Sequence, residues 1–217
     1  MKRAIYLIPA IFLLMPFGLL GQNAGTKDSV SLKQGYEDRL WYSLDKGEQA
    51  QVNQDKWDIA ISVSGLSSAI RINSTTGSKL WAYPKGDTSQ FGTPVDTNGL
   101  QEKWRQLYNT DTSWSIGAFN ANADPGSSVD FGWGVYNRTS HHVVGDSFYV
   151  MKLGNEAFKQ VWIERLASGT YTFHYADLDG QNVQTAEISK DDYPNKTFAY
   201  YSLQNDKALD PAPDKSK

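Results

Sequence analysis

The sequence predicts a mostly β protein, an antiparallel meander or sandwich with long loops and at most one or two short helices. Three observations carry this. Seven Trp, twelve Tyr and nine Phe in 217 residues favour pleated, half-buried surfaces. Apolar residues recur with a period of two far more often than 3.6. In the C-terminal half, short glycine-containing turns separate the apolar runs at hairpin spacing.

Taken in order, residues 1–21 read as a signal peptide. Lys2 and Arg3 give a basic start, the stretch 4–20 is apolar apart from Tyr6, Pro9 and Pro16, and Gly21 supplies a small residue before polar Gln22-Asn23. The apolar stretch is short and proline-interrupted for a membrane anchor. Residues 22–35 form a polar linker. Loss of Lys2 and Arg3 takes the formal charge from −3 to −5. With no cysteine for lipid attachment, the expected product is secreted or held at the cell surface, with no transmembrane segment in the mature protein. An exported chain without cysteine points to a bacterial source.

The β domain is expected over 36–190. In 56–63 the large apolar residues Trp57, Ile59, Ile61 and Val63 alternate with polar or small ones, as in a strand with one buried face. Val129, Phe131, Trp133 and Val135 repeat the pattern. Strands at 147–153, 158–166, 170–176 and 182–188 form the meander, with Tyr171, Phe173 and Tyr175 on a buried face and His174 turned away. Leu100, Trp104, Leu107 and Tyr108 have helical spacing and predict one short helix. Polar, Gly-rich segments at 73–78, 86–98 and 118–128 are placed as loops on one rim. Trp41-Tyr42-Ser43-Leu44 recurs as Tyr200-Tyr201-Ser202-Leu203, and the same offset aligns Asp55-Lys56 with Asp214-Lys215. This predicts a second unit that begins near residue 196 and is interrupted at 217.

Composition excludes several functions. Without cysteine there is no disulfide framework, thiolate zinc site or cysteine nucleophile. The acidic balance lacks the basic footprint of a nucleic-acid binder. No G-x-S-x-G, H-E-x-x-H or P-loop motif is present, so no enzyme is expected. Asp177-Leu178-Asp179-Gly180 reads as a hairpin turn, since the closing glutamate of a calcium loop is missing.

The segments YSLDKGEQAQVNQDKWDIAIS, DFGWGVYN, HHVVGDSFYVMKL and VWIERLASGTYTFHYADLDG give the chain a resemblance to the HmuY-like family of exported β-proteins of Bacteroidetes. The resemblance covers most of 36–188. It implies an HmuY-type β domain, export, and capture of haem for iron acquisition through two axial ligands. Haem or a host haemoprotein and an outer-membrane receptor are the implied partners. Imidazole is available only from His141, His142 and His174, and the resemblance favours His142 with His174, 32 residues apart, as ligands of the haem iron. His142 precedes the strand 147–153; in a simple meander that strand and the His174 strand flank 158–166 about 10 Å apart, a gap the two imidazoles would close if the loop carrying His142 folded over. Met151 is a weaker ligand, and Lys152, Lys159, Arg165 or Arg138 would face the propionates. The alternative is a structural, adhesive or glycan-binding β-module of a larger secreted cell-surface protein with no cofactor. For glycan stacking, the sequence nominates Trp81, Tyr83 and Phe91 beside the long loops.

Overall fold

The alternating apolar residues build two antiparallel sheets that share a core, with a hairpin laid on one of them. The computed structural model describes residues 27–215, so the signal peptide and the start of the linker lie outside the described residues. The body of the fold begins at Ser31. The hairpin is β1 (Asp38–Ser43) with β2 (Gly47–Asn53). Then follow β3 (Ile59–Ser62), β4 (Ile70–Ile72), β5 (Lys79–Ala82), β6 (Gln106–Leu107), β7 (Gly134–Asn137) and β8 (His142–Gly145). The meander is β9 (Phe148–Lys152), β10 (Phe158–Ala167), β11 (Thr170–Asp177) and β12 (Gln184–Ser189), followed by β13 (Phe198–Ser202) and β14 (Lys207–Leu209). The larger sheet has the order β12-β11-β10-β9-β5-β6, with β8 also on β10 and β7 on β8; the smaller runs β14-β13-β3-β4. No helix among the described residues is long and apolar enough to cross a membrane.

The four meander strands form where the period of two places them. Ser168 and Gly169, at φ 48° and 81°, close β10 on β11 in the two-residue turn that suits the strand twist. Tyr171, Phe173 and Tyr175 face inward with Tyr149, Val161 and Ile163, and meet Ile59, Ile61, Ile70 and Tyr201 of the smaller sheet. Each large side chain so buried contributes roughly 1.5–3 kcal/mol. Both outer faces are covered as well. Trp81 and Val150 lie under Leu100 and Trp104 of a long loop, while Trp57, Ala60, Phe198 and Tyr200 lie under Trp41 of the hairpin. All four residues of β3 are therefore buried, not one face alone.

Three expectations are corrected. Trp57 packs in a different cluster from Ile59 and Ile61, because the chain bends at Asp58 before β3 begins. No helix forms at 100–108: a single turn closes on the Gly99 carbonyl, and the chain then extends as β6 against β5. The alternating run 129–135 is a tight hairpin, with Phe131 N–H donating to Gly134 O and Tyr136 N–H to Val129 O, rather than one strand.

The segment 196–217, expected to open a second unit, packs with the rest of the fold over its described residues. Strand β13 pairs with β3 at the centre of the smaller sheet, and Ala199 and Tyr201 belong to the main core. The recurrent Tyr-Ser-Leu has a local cause: both copies end a strand at a hairpin. Ser43 Oγ accepts from Lys46 N–H, and Ser202 Oγ accepts from Asn205 N–H in the same relation.

Side-chain amides block the exposed edge of β4. Asn120 Oδ1 accepts from Ile70 N–H at 2.9 Å, and Asn109 accepts from Ile72 N–H at 3.1 Å while donating to Ile72 O at 2.8 Å. The ladder is thus completed by side chains, and the edge offers no pairing register.

Asp206 ties the two sheets together. Its carboxylate accepts from the hydroxyls of Tyr175 on β11 and Tyr201 on β13. These bonds hold the Asp206 carboxyl below its ordinary value, while burial and Asp206 push the Tyr201 hydroxyl up to about 12. A depressed carboxyl value means stability that is complete above the unfolded value of about 3.9 and fades as pH falls below it. Asp206→Asn is expected to flatten the acid limb of a Tm-versus-pH curve below about pH 4. An acid limb as steep as the wild type's would remove Asp206 from this role.

Candidate functional site

The two predicted ligands lie on strands that flank β10, but at different heights. His174 is opposite Trp162, whereas the pairing of Val143 with Leu166 puts His142 next to Ala167. The five-residue offset between those positions spans roughly 15 Å of strand. The structure does not bring this pair together.

His174 is engaged elsewhere. Its imidazole stacks on Trp162 at 5.0 Å with a 28° interplanar angle. Nδ1 lies 2.9 Å from Thr185 Oγ1 and Nε2 2.7 Å from Glu164 Oε2, so both ring nitrogens have partners. Glu164 reaches the ring because it is the extra residue of a β-bulge, where pairing steps from Ile163–Phe173 to Arg165–Thr172. Iron ligation by His174 would break one of these bonds. Met151 is fully buried in the core. Of the propionate candidates, Lys152 pairs with Glu156, Lys159 with Asp177, and Arg165 lies 3.7 Å from Glu164. No group of three His, Cys, Asp or Glu gathers as a metal site among the described residues.

The aromatics nominated for glycan stacking are packing residues. Trp81 is 2% exposed and stacks on Phe158; Tyr83 stacks on Phe148 at 4.6 Å; Phe91 packs against Trp162 and His174.

A broad cleft lies elsewhere, between the β1–β2 hairpin and the outer face of the smaller sheet. This cleft holds about 940 Å³. Phe198 and Tyr200 of β13 form its floor, Arg39 and Trp41 of β1 one wall, and the Trp114 loop the other. Trp41 meets Tyr200 edge-on at 6.5 Å. The tail 212–215 borders it, held where Lys196 pairs with Asp210 and Asp214 and Lys215 N–H donates to Asn195 O.

Trp114 is 66% exposed, yet its loop is fixed. Arg71 of β4 donates to the carbonyls of Thr110, Ser113 and Ile116 and places its guanidinium 4.8 Å from the centre of the Trp114 ring. Phe198 supports the indole from below at 6.1 Å. A cation–π contact to the ring, with three bonds from the same guanidinium to the loop backbone, holds the loop so that a flat apolar ring faces solvent, against the hydrophobic effect.

A recess of about 90 Å³ continues the cleft between Arg39, Arg71 and Trp57. Arg39 lies 4.8 Å over Trp57 and 5.9 Å over Trp41, and its Nη1 is 3.5 Å from Tyr200 Oη. Among the described residues neither arginine has a carboxylate partner within ion-pair distance. Trp57 Nε1–H is buried without an acceptor.

None of the protein-family models, curated proteins or solved structures compared with this chain matches it. Arg39, Trp41, Arg71 and Trp114 were not nominated by the sequence. The one local signal was Trp114 itself, a lone indole within the polar run 109–115.

Proposed function

We propose that this chain is a non-enzymatic saccharide-binding β-module of the exported, cell-surface kind, whose ligand seat is the cleft between the β1–β2 hairpin and the smaller sheet. The exposed, rigidly held indole of Trp114 at the cleft mouth carries this reading. Sugar rings present apolar C–H faces that stack on flat aromatic rings, and polar rims that suit the hydroxyl, amide and charged groups bordering this cleft. Trp114 loses little entropy on binding because Arg71 has already fixed it. Haem capture, implied by the HmuY-like resemblance, lacks comparable support, since His174 is bonded to Glu164 and Thr185 and His142 lies apart from it.

Titrating the full chain with a panel of soluble polysaccharides, followed by intrinsic tryptophan fluorescence, tests the reading. A binding saccharide should lose at least about tenfold in affinity on Trp114→Ala, the scale of a lost stacking contact. The unfolding midpoint should barely move, because the side chain is exposed. Haemin is included as a competitor for the assignment. A haemin Soret band changed by both His142→Ala and His174→Ala, with no saccharide binding, would overturn the saccharide reading in favour of haem.

A further inference from the structure

We infer that the recess between Arg39, Arg71 and Trp57 seats the anionic group of an acidic saccharide, a carboxylate or a sulfate ester. This rests on the saccharide reading of the cleft and specifies its ligand. Two guanidinium groups lining one small recess repel each other, and no carboxylate of the described residues neutralises them. The chain is acidic overall, at −3, so a cationic recess runs against its average charge. Burial and the neighbouring Arg39 charge hold the Arg71 guanidinium below the ordinary arginine value.

Arg71 spends terminal N–H groups on the Trp114 loop, but among the described residues Arg39 has a single bond, to Tyr200 Oη, which leaves most of its fork available. An entering oxyanion would be met by the free part of the Arg39 fork, in charge-assisted hydrogen bonds that a guanidinium makes to a carboxylate or sulfate. The recess volume of about 90 Å³ admits a single carboxylate or sulfate group but no sugar ring. The ring must then stay in the larger cleft, where Trp114 and Trp41 stand.

The test compares an oligogalacturonate with its methyl ester, which keeps the sugar rings and removes the charge, and with a sulfated and an unsulfated neutral oligosaccharide. Titrations use wild type and Arg39→Gln; Arg71 is left intact because it also holds the Trp114 loop. The expected result is that a charged saccharide binds at least tenfold more tightly than its neutral counterpart, that salt weakens only the charged one, and that Arg39→Gln removes the difference. Whichever of uronate and sulfate shows the gap identifies the group. Equal binding of charged and neutral forms by the wild type would overturn the inference and leave the saccharide reading standing. A gap that survives Arg39→Gln overturns it too, since the anion would then sit elsewhere. Binding of no saccharide, charged or neutral, overturns both. If Arg39→Gln does not fold, the wild-type comparison of acid with ester still decides the matter.

Discussion

Trp133→Ala should lower the free energy of unfolding by about 4 kcal/mol, within the range measured for large aromatic truncations in cores. Trp133 has no exposed surface, lies 6.1 Å from the ring of Tyr171, and donates from Nε1 to Ser68 O at 3.0 Å. Alanine leaves a cavity between segments that cannot both close on it, because β11 and the 129–136 hairpin are each fixed by their own ladders. Trp133→Phe should cost much less: the ring remains, and Ser68 O still accepts from Asn120 Nδ2. Urea unfolding of the three proteins measures this. A loss under about 1.5 kcal/mol for Trp133→Ala would mean that the site is not the packed junction described.

Asn120→Ala should cost about 3 kcal/mol, although it removes only a few atoms. The side-chain oxygen accepts from Ile70 N–H and Gly117 N–H, and the nitrogen donates to Ser68 O and Phe131 O. Alanine deprives four backbone groups, at a site 8% exposed, of these partners. Asn120→Asp should also destabilise, because it keeps an acceptor for the two N–H groups but offers nothing to the two carbonyls. Since Trp133 and Asn120 share Ser68 O, the double substitution should depart from additivity by at least about 0.5 kcal/mol. Strict additivity, or a neutral Asn120→Asp, would show that the amide does not bridge these segments.

The meander was legible because its strands pair with their sequence neighbours, so periodicity and turn chemistry suffice to place 147–188. The β1–β2 hairpin was not, since β2 is mostly polar and the sheet it lies on joins β3 to β13, more than a hundred positions further along the chain. The helical spacing at 100–108 misled because Leu100 and Trp104 cover one sheet face while Leu107 enters the core from β6. The apparent repeat misled in another way: two hairpins with the same serine turn bond look alike in sequence without being copies of a unit.

The candidate site was less legible than the fold, for a related reason. Its parts stand at 39–41, 57, 71, 114 and 198–200, and long-range sheet pairing alone makes them neighbours. Histidine scarcity drew attention to His142 and His174, yet the strand register separates them, and a β-bulge gives His174 a carboxylate partner. Residue type named candidates; topology chose which of them could act together.

Indole Nε1–H chemical shifts of the seven tryptophans during titration with an oligouronate test the central claim most directly, because each ring reports its own surroundings. The expected result is that Trp114, Trp41 and Trp57 shift in a saturable manner while Trp81 and Trp133, in the sealed cores, stay put. Shifts confined to Trp162, beside His174, or no shift at Trp114 at saturation, would contradict the assignment of the cleft as the ligand seat.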